Sequence, residues 1–145
     1  TGFDISLDAL HAAHENAELN NVLIRFFHVN ILKTAHWEGT FDVIVSNPPY
    51  VMNSERETME ENVLNHEPEI ALFVTDEDPL IFYRHIGQLA AQHLKEDGQL
   101  FLEINQALGK ETVQLLKEIG FKTVELRKDL SGKSRMIRAL LTKPK

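Results

Sequence analysis

Phe41-Asp42-Val43-Ile44-Val45-Ser46-Asn47-Pro48-Pro49-Tyr50 is the stretch whose reading decides the fold. Residues 41–46 are short, apolar, β-branched and bounded by turn formers, which predicts a buried strand. Asn47-Pro48-Pro49 ends that strand abruptly, because neither proline can donate to a sheet ladder and each fixes its own φ. The result is a stiff loop at a strand's carboxyl end, the place where ligands sit in open α/β sheets.

The loop offers the Asn47 carboxamide, the backbone carbonyls of Asn47 and Pro48, and the Tyr50 ring. A planar NH2 group can donate one hydrogen to the Asn47 side-chain oxygen and the other to a proline carbonyl while stacking on Tyr50. That suits methyl transfer to an amide or aromatic amine, whose nitrogen lone pair is delocalised. Two acceptors aimed at its hydrogens orient it and favour the pyramidal, partly positive nitrogen that forms as the methyl arrives. The competing reading is a Pro-Pro turn with Asn47 as a local cap.

The 145 residues are one domain by size, and 43% apolar and 26% charged composition is ordinary for a globular chain. No apolar stretch approaches the ~20 residues of a membrane span; the opening residues show no basic-then-apolar leader pattern, and a chain starting at Thr1 is expected to have lost its true beginning. The absence of cysteine excludes disulfides and thiolate metal sites, and a cytoplasmic setting is expected. A formal charge of -7 makes nucleic acid the less expected partner, since an acidic surface repels phosphate backbones.

Upstream of the deciding stretch, residues 1–6 read as a strand tail entering a helix that Ser6 or Asp8 caps, with Leu7, Leu10, Ala13 and Ala17 on one face. Asp4 stands at the strand's carboxyl end, where an acidic residue pairs with ribose hydroxyls in Rossmann-like sites; the alternative is a helix cap. His11 and His14, one turn apart without a third ligand, read as solvated helix residues, and no metal is expected. Residues 22–29 predict a second strand. Asn30 ends it, as a turn residue or as a reader of an adenine amino group.

Downstream, residues 51–78 are acidic and irregular in pattern, a connection long enough to suggest a lid or docking segment. Asp78-Pro79 starts a helix with the stripe Leu80, Tyr83, Ile86 or Gly87, Ala90 and Leu94, and Asp97-Gly98 ends it. Strands are predicted at 99–104, 121–127 and 135–142, with a helix at 108–119 stopped by Gly120. The last two strands come without an intervening helix, so an antiparallel hairpin is expected at one sheet edge.

The order of Asp4-Ile5-Ser6, Asn47-Pro48-Pro49-Tyr50, Glu67-Pro68 with Ala71-Leu72, Asp97-Gly98-Gln99-Leu100-Phe101-Leu102-Glu103, and Asp129-Leu130-Ser131-Gly132-Lys133-Ser134-Arg135 resembles the HemK/PrmC family. The resemblance covers nearly the whole chain from Phe3. It implies a Rossmann-like class I S-adenosylmethionine-dependent methyltransferase fold and methylation of the glutamine amide in the Gly-Gly-Gln loop of peptide chain release factors. Carried over by position, Asn47 and Pro48 hold that amide, Pro49 and Tyr50 line its pocket, and Asp4, Asn30 and Asn47 serve the cofactor. Two positions depart from the family: Asn30 stands where an acidic residue is usual, and Asn105 where glycine is common.

The family's first strand and Gly-rich loop have no counterpart here, so residues 1–145 are expected to be the carboxyl-terminal portion of a catalytic domain. That implies weak or no cofactor binding and no activity for this stretch alone. It also implies a gap in the sheet between the strands ending at Asp4 and Ser46, and self-association through unpaired strand edges. The other readings are a DNA adenine or RNA guanine amino-methyltransferase sharing the same loop, and a non-catalytic docking domain.

Overall fold

A computed structural model describes residues 1–142. The chain divides into two compact units, residues 1–35 and residues 36 onward.

In the first unit, strand β1 (Gly2–Asp4) runs parallel to β2 (Phe26–His28), Asp4 opposite His28, and helix α1 (Leu7–Leu19) makes the crossover. Ser6 caps α1: its extended backbone turns the chain and its Oγ accepts the Ala9 N–H at 3.2 Å. Asp8 does not share that role and lies in the first turn. The expected apolar stripe is only partly covered. Ala17 is buried but Leu7 is exposed, because α1 packs on just two three-residue strands. His11 and His14 are exposed on α1, opposite Glu15 and Glu18. The expected strand at 22–29 shrinks to its last part. Asn21 turns the chain at φ 53°, and residues 22–25 are spent returning to register with Gly2.

The second unit is built on a four-stranded sheet in the order β3 (Phe41–Ser46), β6 (Leu94–Glu103), β8 (Ser134–Leu140), β7 (Thr123–Lys128). β3 and β6 are parallel. β8 is antiparallel to both β6 and β7, which is the expected hairpin. Helices α4 (Ile81–His93) and α5 (Gly109–Ile119) pack on each other and on this sheet. Ile44, Leu100, Leu102, Ile137 and Ala139 alternate onto the covered face, with Tyr83, Ile86, Ala90, Leu116 and Phe121 completing the core. Gly87 lets the two helices close up, since a Cβ there would lie 2.8 Å from Ile119 Cδ1 and 2.9 Å from Leu116 Cδ2.

Three local expectations change. β3 is not buried on both faces: Ile44 points into the core while Val43 and Val45 are exposed, because β3 is an edge strand covered on one side. α4 ends at His93 rather than at Asp97-Gly98, and β6 starts at once. His93 is buried there, donating from Nδ1 to the Gly39 carbonyl and accepting the Trp37 N–H, which ties the segment before β3 to the helix end. The acidic connection is not irregular. A 3-10 turn (Asn53–Thr58), α2 (Glu61–His66) and α3 (Glu69–Leu72) fill it, and a parallel bridge of β4 (Val51–Met52) with β5 (Phe73–Val74) closes its ends. Asp78 pairs bidentately with Arg84 at 2.7 and 2.9 Å, and that guanidinium holds its carboxyl below the usual range.

Leu100 is fully buried at the centre of the covered face. Leu100→Ala is expected to cost about 2–5 kcal/mol, read as a lower denaturant midpoint at unchanged slope.

Candidate active site

Parallel pairing puts the ends of β3 and β6 on one edge, with Ser46 opposite Leu102. β8 runs the other way, so it begins at that edge, and the Ile104 N–H donates to the Arg135 carbonyl at 2.9 Å. The sheet therefore gathers Asn47-Pro48-Pro49-Tyr50, Glu103, Asn105 and Arg135, which are up to 88 residues apart in sequence (135 minus 47).

Within this loop Pro48 is buried and Asn47 is exposed. Neither the Asn47 carboxamide nor the Pro48 carbonyl enters a hydrogen bond among the described residues. The local-cap reading of Asn47 therefore finds no support: its amide is left to face outward while the proline behind it is packed.

Tyr50 is the opposite case, held at every polar atom. Its N–H donates to the Leu72 carbonyl at 3.1 Å and its carbonyl accepts Asn105 Nδ2 at 3.0 Å. Its hydroxyl donates to Glu103 Oε1 at 2.6 Å and accepts from Arg135 Nη1 at 3.3 Å. The Arg135 guanidinium carbon also lies 5.9 Å from the ring centroid. Burial, then the Glu103 carboxylate, push the hydroxyl up to about 12. It stays protonated at neutral pH, and the ring is held in place from both sides.

Asp4 and Asn30 belong to the first unit. Asp4 Oδ1 accepts the Ser6 N–H at 2.8 Å, which leaves Oδ2 open at the carboxyl end of β1. The Val29 N–H donates to the Asp4 carbonyl at 2.8 Å, bringing the two strand ends together. Asn30 closes a local turn, its Oδ1 accepting the Leu32 N–H at 3.0 Å. One lone pair of that oxygen stays open to an amino group, and Nδ2 enters no hydrogen bond among the described residues.

Reasoning from sequence assigned no site role to Glu103, Asn105, Arg135 or Glu55, and read Tyr83 only as part of a helix's apolar stripe. Glu103 carried one usable signal: a charged residue closing an apolar strand, as Asp4 does. Asn105 stood out as a departure from glycine, without pointing to the bonds that it makes.

The Tyr50 hydroxyl gives a pH signature. Its folded pKa is raised from about 10 to about 12, so its contribution is complete below about pH 10 and is lost as pH rises towards about 12. Tyr50→Phe is expected to cost about 1–2 kcal/mol at neutral pH. In denaturation at a series of pH values it should also flatten the alkaline loss, leaving the share that buried Tyr83, likewise pushed up by desolvation, contributes.

Residues 1–72 match the family described as Methyltransferase small domain. A release factor glutamine methyltransferase of Flavobacterium psychrophilum is 53% identical over 93% of this chain and 47% of its own length. One of Bacteroides thetaiotaomicron is 43% identical over 94% of this chain and 50% of its own. The chain thus spans about half the length of the curated relatives it matches. A methyltransferase structure from Pyrococcus furiosus shares the fold at a TM-score of 0.66 and 19% identity, covering 96% of this chain and 60% of that one. A ribosomal protein L11 methylase from Lactobacillus delbrueckii gives 0.58 at 25% identity, over 94% and 53%. The strand order, the proline-stiffened loop at the end of β3 and these likenesses agree: the fold is that of the class I S-adenosylmethionine-dependent methyltransferases, and the chain belongs to the HemK/PrmC family.

Proposed function

We propose that this chain carries the substrate loop of an S-adenosylmethionine-dependent enzyme that methylates the glutamine side-chain amide of a peptide chain release factor. The observation that carries the reading is the pairing of a free Asn47 carboxamide with a fully tied Tyr50 on one rigid loop. The names of the relatives supply the substrate.

A glutamine amide nitrogen is a poor nucleophile because its lone pair is shared with its carbonyl. Asn47 Oδ1 and the Pro48 carbonyl accept its two hydrogens, which fixes its direction and favours the positive nitrogen of the transition state. Pro48 and Pro49 hold φ, so the acceptors need not be ordered when substrate arrives. The Tyr50 ring walls the planar amide. As the carbon–nitrogen bond forms, the methyl's bond to the donor sulfur would break and leave a neutral thioether; the acidified nitrogen then sheds a proton to water, so no side-chain base of neutral pKa is needed.

S-adenosylmethionine, when bound, supplies an electrophilic methyl group. The residues of the first unit suit its nucleoside half, with Asp4 Oδ2 free for a ribose hydroxyl and the Asn30 amide for adenine. No described helix is long and apolar enough to cross a membrane, and a translation factor as substrate fits a cytoplasmic setting. β1 and β3 each have a single strand partner, so self-association through their free edges belongs to the same proposal.

The test is transfer of labelled methyl to a Gly-Gly-Gln release factor, with duplex DNA and ribosomal RNA as competing acceptors. In the full-length protein, Asn47→Ala is expected to lower kcat about 10²–10³-fold, the scale of losing one oriented polar group at a developing charge. Unchanged turnover, or transfer to nucleic acid instead, overturns the reading.

A further inference from the structure

Two asparagines flank the substrate loop and are used in opposite ways. Asn47 is exposed and free, whereas Asn105 is 4% exposed and fully spent. Asn105 Nδ2 donates one hydrogen to the Tyr50 carbonyl at 3.0 Å and the other to Glu55 Oε2 at 2.7 Å. Its Oδ1 accepts the Ala107 N–H at 2.8 Å, and its own N–H donates to the Tyr83 hydroxyl at 3.1 Å. Glu55 Oε2 also accepts the Met52 N–H at 2.9 Å. One buried asparagine therefore joins the substrate loop and the first turn of the acidic connection through its side-chain amide, and the end of β6 to helix α4 through its backbone N–H.

We propose that Asn105 is a positioning residue for the substrate loop, holding Tyr50 and the start of the connection so that Asn47 and Pro48 keep a fixed aim. The proposal rests on the methyl-transfer reading of that loop. Charge is what makes an amide necessary. Both of its neighbours, the Tyr50 carbonyl and the Glu55 carboxylate, are acceptors, so the group between them must bring two hydrogens without adding a negative charge. A carboxylate of the same shape brings none and faces Glu55 directly.

Asn105→Asp isolates this property, because shape is kept while both donors are lost. In the full-length protein, kcat on a Gly-Gly-Gln release factor is expected to fall about 10²-fold at about pH 8, with little change in KM. Towards about pH 5, protonation of the new acid restores one donor, so the deficit relative to wild type should narrow. Amide exchange at Tyr50 and Met52 should quicken in the same variant at about pH 8. A deficit that is constant across pH, with wild-type exchange at both amides, overturns the proposal. Should Asn105→Asp not fold, Glu55→Ala on a half-buried side chain removes the other end of the tie. Faster exchange at Met52 with a lower kcat supports the proposal there, and wild-type values of both overturn it. If the wild-type protein transfers no methyl to the release factor, the functional reading fails by itself, and the exchange measurements still decide the tie.

Discussion

Parallel pairing of β3 with β6 is the constraint on which the active edge is built. It sets Ser46 opposite Leu102, so the loop after one strand and Glu103, with Asn105 beyond it, after the other leave the sheet at the same edge. The same pairing sets Ile44 opposite Leu100 and buries it on the covered face, while Val43 and Val45 stay exposed on the other. The aim of Asn47 therefore depends on a hydrophobic contact on the covered face of the sheet.

A polar layer then divides the labour at that edge. The hydroxyl of Tyr50 sits between the Glu103 carboxylate and the Arg135 guanidinium, an acceptor on one side and a donor on the other. The bond to Glu103, at 2.6 Å, is short and charge-assisted, the one from Arg135, at 3.3 Å, is longer, and partial burial strengthens both. Their effect is to remove Tyr50 from proton chemistry and leave its ring. Asn105 saturates the backbone behind that ring. The outcome is one loop in which the polar atoms of Tyr50 are consumed and the Asn47 amide is spared.

The hairpin of β7 and β8 contributes through the same geometry. Because β8 is antiparallel to β6, its first residues, not its last, reach the active edge, and Arg135 is delivered there beside Glu103. The Asp129–Ser134 loop is braced by Asp129 Oδ1, which accepts the N–H groups of Ser131 and Lys133 at 2.9 Å each. Those backbone donors hold the Asp129 carboxyl below its usual range and leave it facing Arg135 at 3.8 Å.

Short-range chemistry was legible in the sequence: the mainly apolar stretch 41–46 stopped by two prolines, Ser6 as a cap, Gly120 as a stop and the closing hairpin, all of them set within a few residues of chain. The exposure of Val43 and Val45, the short helices inside the acidic connection and the retreat of β2 to Phe26–His28 were decided by which neighbour covered each segment. So were the roles of Glu103, Asn105 and Arg135, whose partners lie 53, 55 and 85 residues away in the chain. A side chain's type states which hydrogen bonds it can make. Only the folded register states which are already made, and that difference separates Asn47, whose amide makes none among the described residues, from Asn105, whose amide is fully engaged.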